Sequence, residues 1–346
     1  MDLESLYAEV KENIFRLDFD RIWPGFTALK FALYDHEKCF FDGQYIEKTG
    51  DFCANTSIVY QGEQIAIWMV QEELEASVLT SKIVHEMFHG YQTLEGWSAW
   101  PDELEALYRY EYDAENLSLR LRENELLLNL LDRFDEAALQ ELLSHRKHRS
   151  EAFPYAFSYE SKVEEIEGTA NFVEWQVLKR LDAKKAGELE EQMRSVLRRP
   201  EYLFPIRISC YYTGALMIHA LLRAGVYSFA AKERPVIYSF LQNITPSDGV
   251  YPGRENCLKK TREAVDAFNE ETESIIRAAL ERNEAVLRGP VELTGVNVYN
   301  ARCRRGYITS TYFLMYREGA EDKMLPGDFV IKMKDEKTID TVYRWK

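Results

Sequence analysis

Val84-His85-Glu86-Met87-Phe88-His89 is the stretch that decides how this chain is read. His85 and His89 are four residues apart, so on a helix they share one face, one turn apart, and both imidazoles can reach a single ion. Glu86 projects near the same edge, where its carboxylate can hold a water beside that ion and take its proton. The surroundings favour a helix. From Glu73 onward Leu74, Val78, Ile83, Met87 and Tyr91 recur at helical spacing, with Leu79, Val84 and Phe88 beside them. A helix apolar around so much of its circumference is buried, and an imidazole pair with a carboxylate is costly there without a compensating partner. The pattern therefore points to one zinc ion held by His85 and His89, with Glu86 as general base.

A catalytic zinc needs a third protein ligand, with the fourth position left to water. The remaining histidines are poor candidates. His145 and His148 lie in Ser144-His145-Arg146-Lys147-His148-Arg149, where the neighbouring cations oppose a metal, and the run reads as a solvated helix end. His36 precedes a charged turn and is expected to be exposed. His219 sits among apolar residues and is expected in the core. The carboxylates of a helix over residues 160–180 do better. Glu160, Glu164, Glu167, Asn171 and Glu174 form one polar face opposite Val163, Ile166, Ala170, Val173 and Val177. Like charges stacked on one face invite a counter-ion. The small residues Gly168, Thr169 and Ala170 are expected to let this helix approach the histidine-bearing one.

At this point the chain resembles a family. Glu167-Gly168-Thr169-Ala170 is similar to the EGxA element that carries the third zinc ligand in gluzincins related to aminopeptidase N. Glu174 falls where that family often has a second glutamate, in a pattern EGxAxxxE. Asn171 takes the position at which thermolysin-like gluzincins place an aspartate supporting a ligand histidine, which implies a hydrogen bond from His85 to its side-chain oxygen. Tyr211-Tyr212-Thr213-Gly214-Ala215 is similar to the family's YxxGA, whose first tyrosine donates to the oxyanion of the tetrahedral intermediate. The resemblance assigns that role to Tyr211, with Tyr212 as the alternative. It covers residues 64 to 224 and departs from the family twice. The stretch from His89 to Glu167 is far longer than in aminopeptidase N relatives, so residues 101–150 read as a helical insertion. No GxMEN-type segment precedes the metal helix, so aminopeptidase specificity is not implied.

Composition narrows the remaining choices. The 346 residues carry a formal net charge of −15, and nucleic acid or an anionic membrane surface is not an expected partner of so acidic a chain. The start Met1-Asp2-Leu3-Glu4 lacks the basic and apolar regions of a signal peptide, and no apolar run is long enough for a membrane span. Five dispersed cysteines without CxxC pairing fit reduced thiols, so a cytoplasmic location is expected.

The fold class expected is α+β: a zincin-like catalytic domain over 1–290, with a small N-terminal β-sheet and a mainly helical remainder, and a small β-rich C-terminal region over 291–346. A helix is expected over Leu3–Phe19 and strands over 28–34, 57–60 and 64–70, the last pair joined by a turn at Gln61-Gly62-Glu63. Phe153–Phe157 reads as a linker, 186–197 and 210–224 as helices, 243–256 as a loop, and 258–287 as a helix. Alternation over 291–299, 307–316, 329–333 and 338–344 reads as strands. The expected function is peptide-bond hydrolysis on a peptide or small protein, with the strand 64–70 offering its edge to an extended substrate. A zinc hydrolase of a non-peptide substrate and a non-catalytic binding protein on the same scaffold are the alternatives. An intact Glu86 argues against the second, because a structural site has no use for a base.

Overall fold

Turn chemistry shapes the N-terminal third. The computed structural model describes residues 2–72, 74–231 and 234–345. After helix α1 (Leu3–Phe15) come strands β1 (Lys30–Tyr34), β2 (Cys39–Phe41), β3 (Gln44–Ile46), β4 (Thr56–Tyr60) and β5 (Glu63–Met69). Asp42-Gly43 and Gln61-Gly62 both take positive φ at each residue, the geometry of the two-residue turns that match strand twist. They close the β2–β3 and β4–β5 hairpins. The first hairpin escaped the sequence reading, although Asp-Gly is its signal. The sheet order is β3-β2-β1-β5-β4, with β1 and β5 parallel and the other pairs antiparallel. The strand containing residues 64–69 is thus interior, paired on both sides. The edge expected of it belongs to β4, because the hairpin folds β4 back over the open side of β5.

Helix α2 (Ala76–Leu94) follows directly and packs on this sheet. The expected start at Glu73 lies outside the described residues. Gly90 is fixed by the fit: a Cβ there would lie 2.5 Å from Leu29 Cδ1 and 2.7 Å from Ser57 Oγ. Three helices then fill the stretch read as an insertion: α3 (Glu103–Arg109), α4 (Ala114–Asp132) and α5 (Glu136–Ala152). Aspartates cap all three, at Asp102, Asp113 and Asp135, each accepting from first-turn backbone N–H groups.

The basic run on α5 is not a solvated end. His145, Arg146 and Arg149 are buried, as is Arg120 on α4. Arg146 and Arg120 donate to Glu164 at 2.6 and 2.7 Å, and Arg149 donates to Glu160 at 2.6 Å and to Glu123 at 2.9 Å. Buried charges persist when each finds an opposite partner and hydrogen bonds. Reading the run from its own element alone left out the carboxylates that face it. His36 is exposed as expected, and His219 is half-buried against Trp175.

Pro154 opens helix α6 (Pro154–Val163), because proline at the first helical position loses no hydrogen bond, and no linker separates it from α5. A π-helical turn (Glu164–Gly168) leads without a break into α7 (Thr169–Leu181). Then follow α8 (Ala183–Leu197), α9 (Ile206–Arg223), the short α10 (Ile237–Leu241) inside the connection after α9, and α11 (Arg254–Arg282). Helix α11 ends before residue 285, where a second sheet begins: β6 (Ala285–Val296), β7 (Arg302–Arg304), β8 (Tyr307–Ser310), β9 (Phe313–Glu318), β10 (Glu321–Pro326), β11 (Phe329–Met333) and β12 (Thr338–Arg344). Its order is β10-β9-β6-β12-β11-β8-β7, antiparallel throughout. Its apolar residues pack against Leu104, Leu107 and Tyr108 of α3, and Val330 packs on Ile276 and Ala279 of α11. The architecture is mixed α+β. Among the described residues no helix is long and apolar enough to cross a membrane, and all five cysteines are free.

Candidate metal centre

Helix α2 presents His85 and His89 on its inner face, and the π turn presents Glu167 opposite them. Nε2 of His85 and Nε2 of His89 are 3.1 Å apart. Oε2 of Glu167 lies 3.2 Å from the His89 nitrogen and 3.7 Å from that of His85. Donors bound tetrahedrally to zinc at about 2.0–2.1 Å are separated by about 3.3 Å. The three atoms therefore already stand at the spacing of one face of such a site, and His85, His89 and Glu167 form a group able to hold a metal ion. Two ring nitrogens facing each other at hydrogen-bond distance need a proton or a cation between them, which makes the donor set a fit for zinc.

The outer nitrogen of the His89 imidazole is held too. Nδ1 of His89 pairs with Gln92 Oε1 at 2.7 Å, and Gln92 in turn donates to Ile166 O and Thr169 Oγ1, both at 2.8 Å. An oxygen acceptor on Nδ1 fixes the tautomer that leaves Nε2 free for a metal. Gln92 was not foreseen, although it stands one turn beyond His89 on the same face. Beside His85 stands Glu174, whose Oε2 lies 3.2 Å from Nδ1, within ion-pair distance but without the alignment of a hydrogen bond. Asn171, to which the resemblance assigned that support, makes no side-chain hydrogen bond among the described residues and lines the cavity instead. Glu174 is the longer side chain and stands three residues on, nearly one turn, so it reaches over Asn171's position. Glu174 also meets Lys82 at 3.5 Å. The other oxygen of Glu167 accepts from Arg207 Nη2 at 2.5 Å, while Arg207 Nη1 binds Glu103.

The π turn explains which acidic residues reach the site. In a regular α-helix, residues three apart lie within about 60° of each other, so Glu164 and Glu167 would share a face. Bonding of the i→i+5 type widens the turn and spreads them. Glu164 and Glu160 go to the arginine cluster, Glu165 goes to Arg234 and the Val236 N–H, and of these four glutamates Glu167 alone reaches the histidines. The single acidic stripe expected from the sequence is therefore divided. Gly168 serves a different neighbour than expected: a Cβ on it would lie 2.5 Å from Gly214 Cα on α9, not against α2. Thr169 meets α2 through Gln92.

Burial would push the His85 imidazole down, but Glu167 and Glu174 on its two nitrogens reverse this and raise it to about 10. Glu167 is penalised by burial and held well below the usual carboxylate range by His89, His85 and Arg207. Glu174 is likewise opposed by burial and brought down to about 2 by His85 and Lys82. Glu86 moves the other way. Burial raises it, the two histidines pull against the rise, and Glu167 and Glu174 add to it. No hydrogen-bond or ion-pair partner among the described residues engages its carboxylate. It faces a cavity of about 320 Å³ whose walls include Trp68, Lys82, Ile208, Tyr211, Tyr212 and Tyr299.

Tyr211 stands in the second turn of α9 and faces this cavity, its ring parallel to that of His85 at 6.4 Å between centroids. Its hydroxyl accepts from Arg207 Nη2 at 3.2 Å and meets the hydroxyl of Tyr299 at 3.0 Å. Tyr212 also borders the cavity, but Gln192 donates to its oxygen at 3.0 Å. The second sheet therefore contributes to the cavity through Tyr299, a residue that no sequence pattern singled out. Comparison of the chain with protein-family models, with curated proteins and with solved structures gives no match.

Proposed function

We propose that this chain is a zinc-dependent peptidase on a zincin-like scaffold, with His85, His89 and Glu167 as the ligands of one ion and Glu86 as general base. The observation that carries the reading is the convergence of three donor atoms, from buried His85 and Glu167 and part-buried His89, at the mutual spacing of a tetrahedral site, beside an unengaged carboxylate. The order of elements supports the scaffold: a small mixed sheet, then the helix bearing both histidines, then the helix bearing the third ligand.

Zinc held there supplies Lewis-acid polarisation of the scissile carbonyl and acidifies a water beside it. The chain's own residues supply the rest. Glu86 accepts the proton as the water oxygen adds to the carbonyl carbon. Its raised affinity for protons, caused by burial and by Glu167 and Glu174, suits it to that task near neutral pH. It then returns the proton to the leaving amine as the C–N bond breaks. Tyr211 donates its hydroxyl hydrogen to the oxyanion formed in between. Gln92 keeps the His89 imidazole turned so that its Nε2 faces the site, and the Glu174 carboxylate lies at ion-pair distance from the outer nitrogen of His85. An extended substrate pairs with the free edge of β4. A cytoplasmic location belongs to the same proposal, supported by five dispersed cysteines without a disulfide.

The test is zinc quantification together with Glu86→Gln on a mixed peptide library. The variant is expected to keep one zinc per chain and to lose roughly 10²–10⁴ in rate. A zinc-loaded wild-type chain that cleaves no peptide removes the peptidase reading. Wild-type turnover by the variant moves the base elsewhere.

A further inference from the structure

Tyr299 lies in the turn between β6 and β7, distant in sequence from every motif, yet its hydroxyl is 3.0 Å from that of Tyr211. Arg207, one helical turn before Tyr211, reaches the same phenol oxygen at 3.2 Å. A phenol has one proton to give and two lone pairs to receive with. A guanidinium only donates, so Arg207 occupies one lone pair of Tyr211. The tyrosine pair can run either way. If Tyr211 donates to Tyr299, its single proton is spent on the pair. If Tyr299 donates, both lone pairs of Tyr211 are filled and its proton is left for an acceptor in the cavity. Negative charge developing beside His85 favours the second direction, because each hydrogen bond then points toward that charge and strengthens the next.

We propose that Tyr299 is a positioning residue for Tyr211: it donates to the Tyr211 oxygen and so aims the Tyr211 proton at the oxyanion. This makes the second sheet a working part of the site rather than an appendage. The proposal rests on the reading of Tyr211 as the oxyanion donor, and its test separates the two.

The experiment is a Tyr211→Phe, Tyr299→Phe and double-variant cycle on the zinc-loaded full chain. Three quantities are read: zinc content, kcat and KM on a cleaved peptide, and affinity for the tightest binder among a set of N-acyl dipeptide phosphonamidates, which present a tetrahedral anionic oxygen without turnover. Tyr299→Phe keeps the ring and removes only the hydroxyl. The expected result is unchanged zinc, a loss of about 10-fold in kcat with little change in KM, and a similar weakening of phosphonamidate binding. In the Tyr211→Phe background the second substitution is expected to cost nothing further, because the group it acts through is gone. Wild-type kcat and phosphonamidate affinity in Tyr299→Phe would reduce Tyr299 to a wall. Losses that multiply in the double variant would show it acting on its own; either result overturns the proposal. If the wild type binds phosphonamidate and obeys the cycle but cleaves no peptide, the positioning role stands and the peptidase reading falls. A zinc-loaded wild type that binds no phosphonamidate removes the Tyr211 role, and this proposal with it.

Discussion

The helical run from Pro154 to Leu181 serves two buried acidic neighbourhoods that differ in how their charge is closed. On one side Glu160 and Glu164, joined by Glu123, meet Arg120, Arg146 and Arg149, so that three carboxylates face three guanidinium groups, with Arg120 Nε, Arg146 Nε and Glu123 Oε1 left without a hydrogen bond. On the other side Glu86, Glu167 and Glu174 surround two imidazoles. The cations there are Arg207, shared with Glu103, the half-exposed Lys82 and the His85 imidazole, whose affinity for a proton Glu167 and Glu174 raise against the effect of burial. The first neighbourhood balances its charge with protein groups alone. The second leaves the Glu86 carboxylate unengaged beside a cavity, and three donor atoms crowd around a common point. A protein closes a buried charge when it can. Where it leaves one open next to convergent donors, a cation is the expected complement.

The contrast can be broken at either end. The largest effect is expected from Arg149→Leu, which leaves Glu160 and Glu123 short of a partner in a fully buried setting. A loss of about 3–5 kcal/mol, read as a shift of the urea unfolding midpoint, is predicted. A loss below about 1 kcal/mol would mean that the cluster does not depend on matched charge. Next comes Glu167→Ala, which removes one of three donors. Zinc affinity, measured by competition with a chromogenic chelator, is predicted to fall by about 100-fold, roughly 3 kcal/mol of the ten or more that a full donor set supplies. Unchanged affinity would assign the third ligand elsewhere. The smallest change is Gln92→Leu, which frees the His89 ring without touching the donor atoms. About a 10-fold weakening of zinc binding in the same assay is predicted, with the Arg149 cluster and its contribution to stability intact. A weakening as large as that of Glu167→Ala would place Gln92 among the ligands rather than behind them.

What the sequence made legible was whatever depends on a single element. Four-residue spacing on one helix set His85 and His89 side by side, and the structure keeps them so. Gln61-Gly62 specified a hairpin through its own backbone preference. Glu167 was found through resemblance rather than spacing, and spacing alone misgrouped it with Glu160 and Glu164. A π turn obeys no simple periodicity, so the faces on its two sides do not align in an α-helical projection. The basic run of α5 misled for a related reason. A row of cations reads as solvated unless the carboxylates that cover it are known, and those lie on α4, α6 and the π turn. Arg207 and Gln92 each stand one turn from a residue already singled out, Tyr211 and His89, and helical neighbours of that kind were open to inspection. Tyr299 carried no local signal, since only tertiary packing of the second sheet brings it to Tyr211.

The meeting of Gly168 with Gly214 joins two parts of the chemistry. At this point the helix bearing Glu167 and the helix bearing Tyr211 touch main chain to main chain, with no side chain between them: an added methyl group on Gly214 would fall 2.6 Å from the Glu164 carbonyl oxygen and 2.7 Å from Gly168 Cα. Cores ordinarily absorb a shove by letting a rotamer swing, and that cushion is missing here. The carboxylate and the phenol consequently ride on one stiff hinge pin, so a guest molecule that leans on either of them moves its counterpart as well.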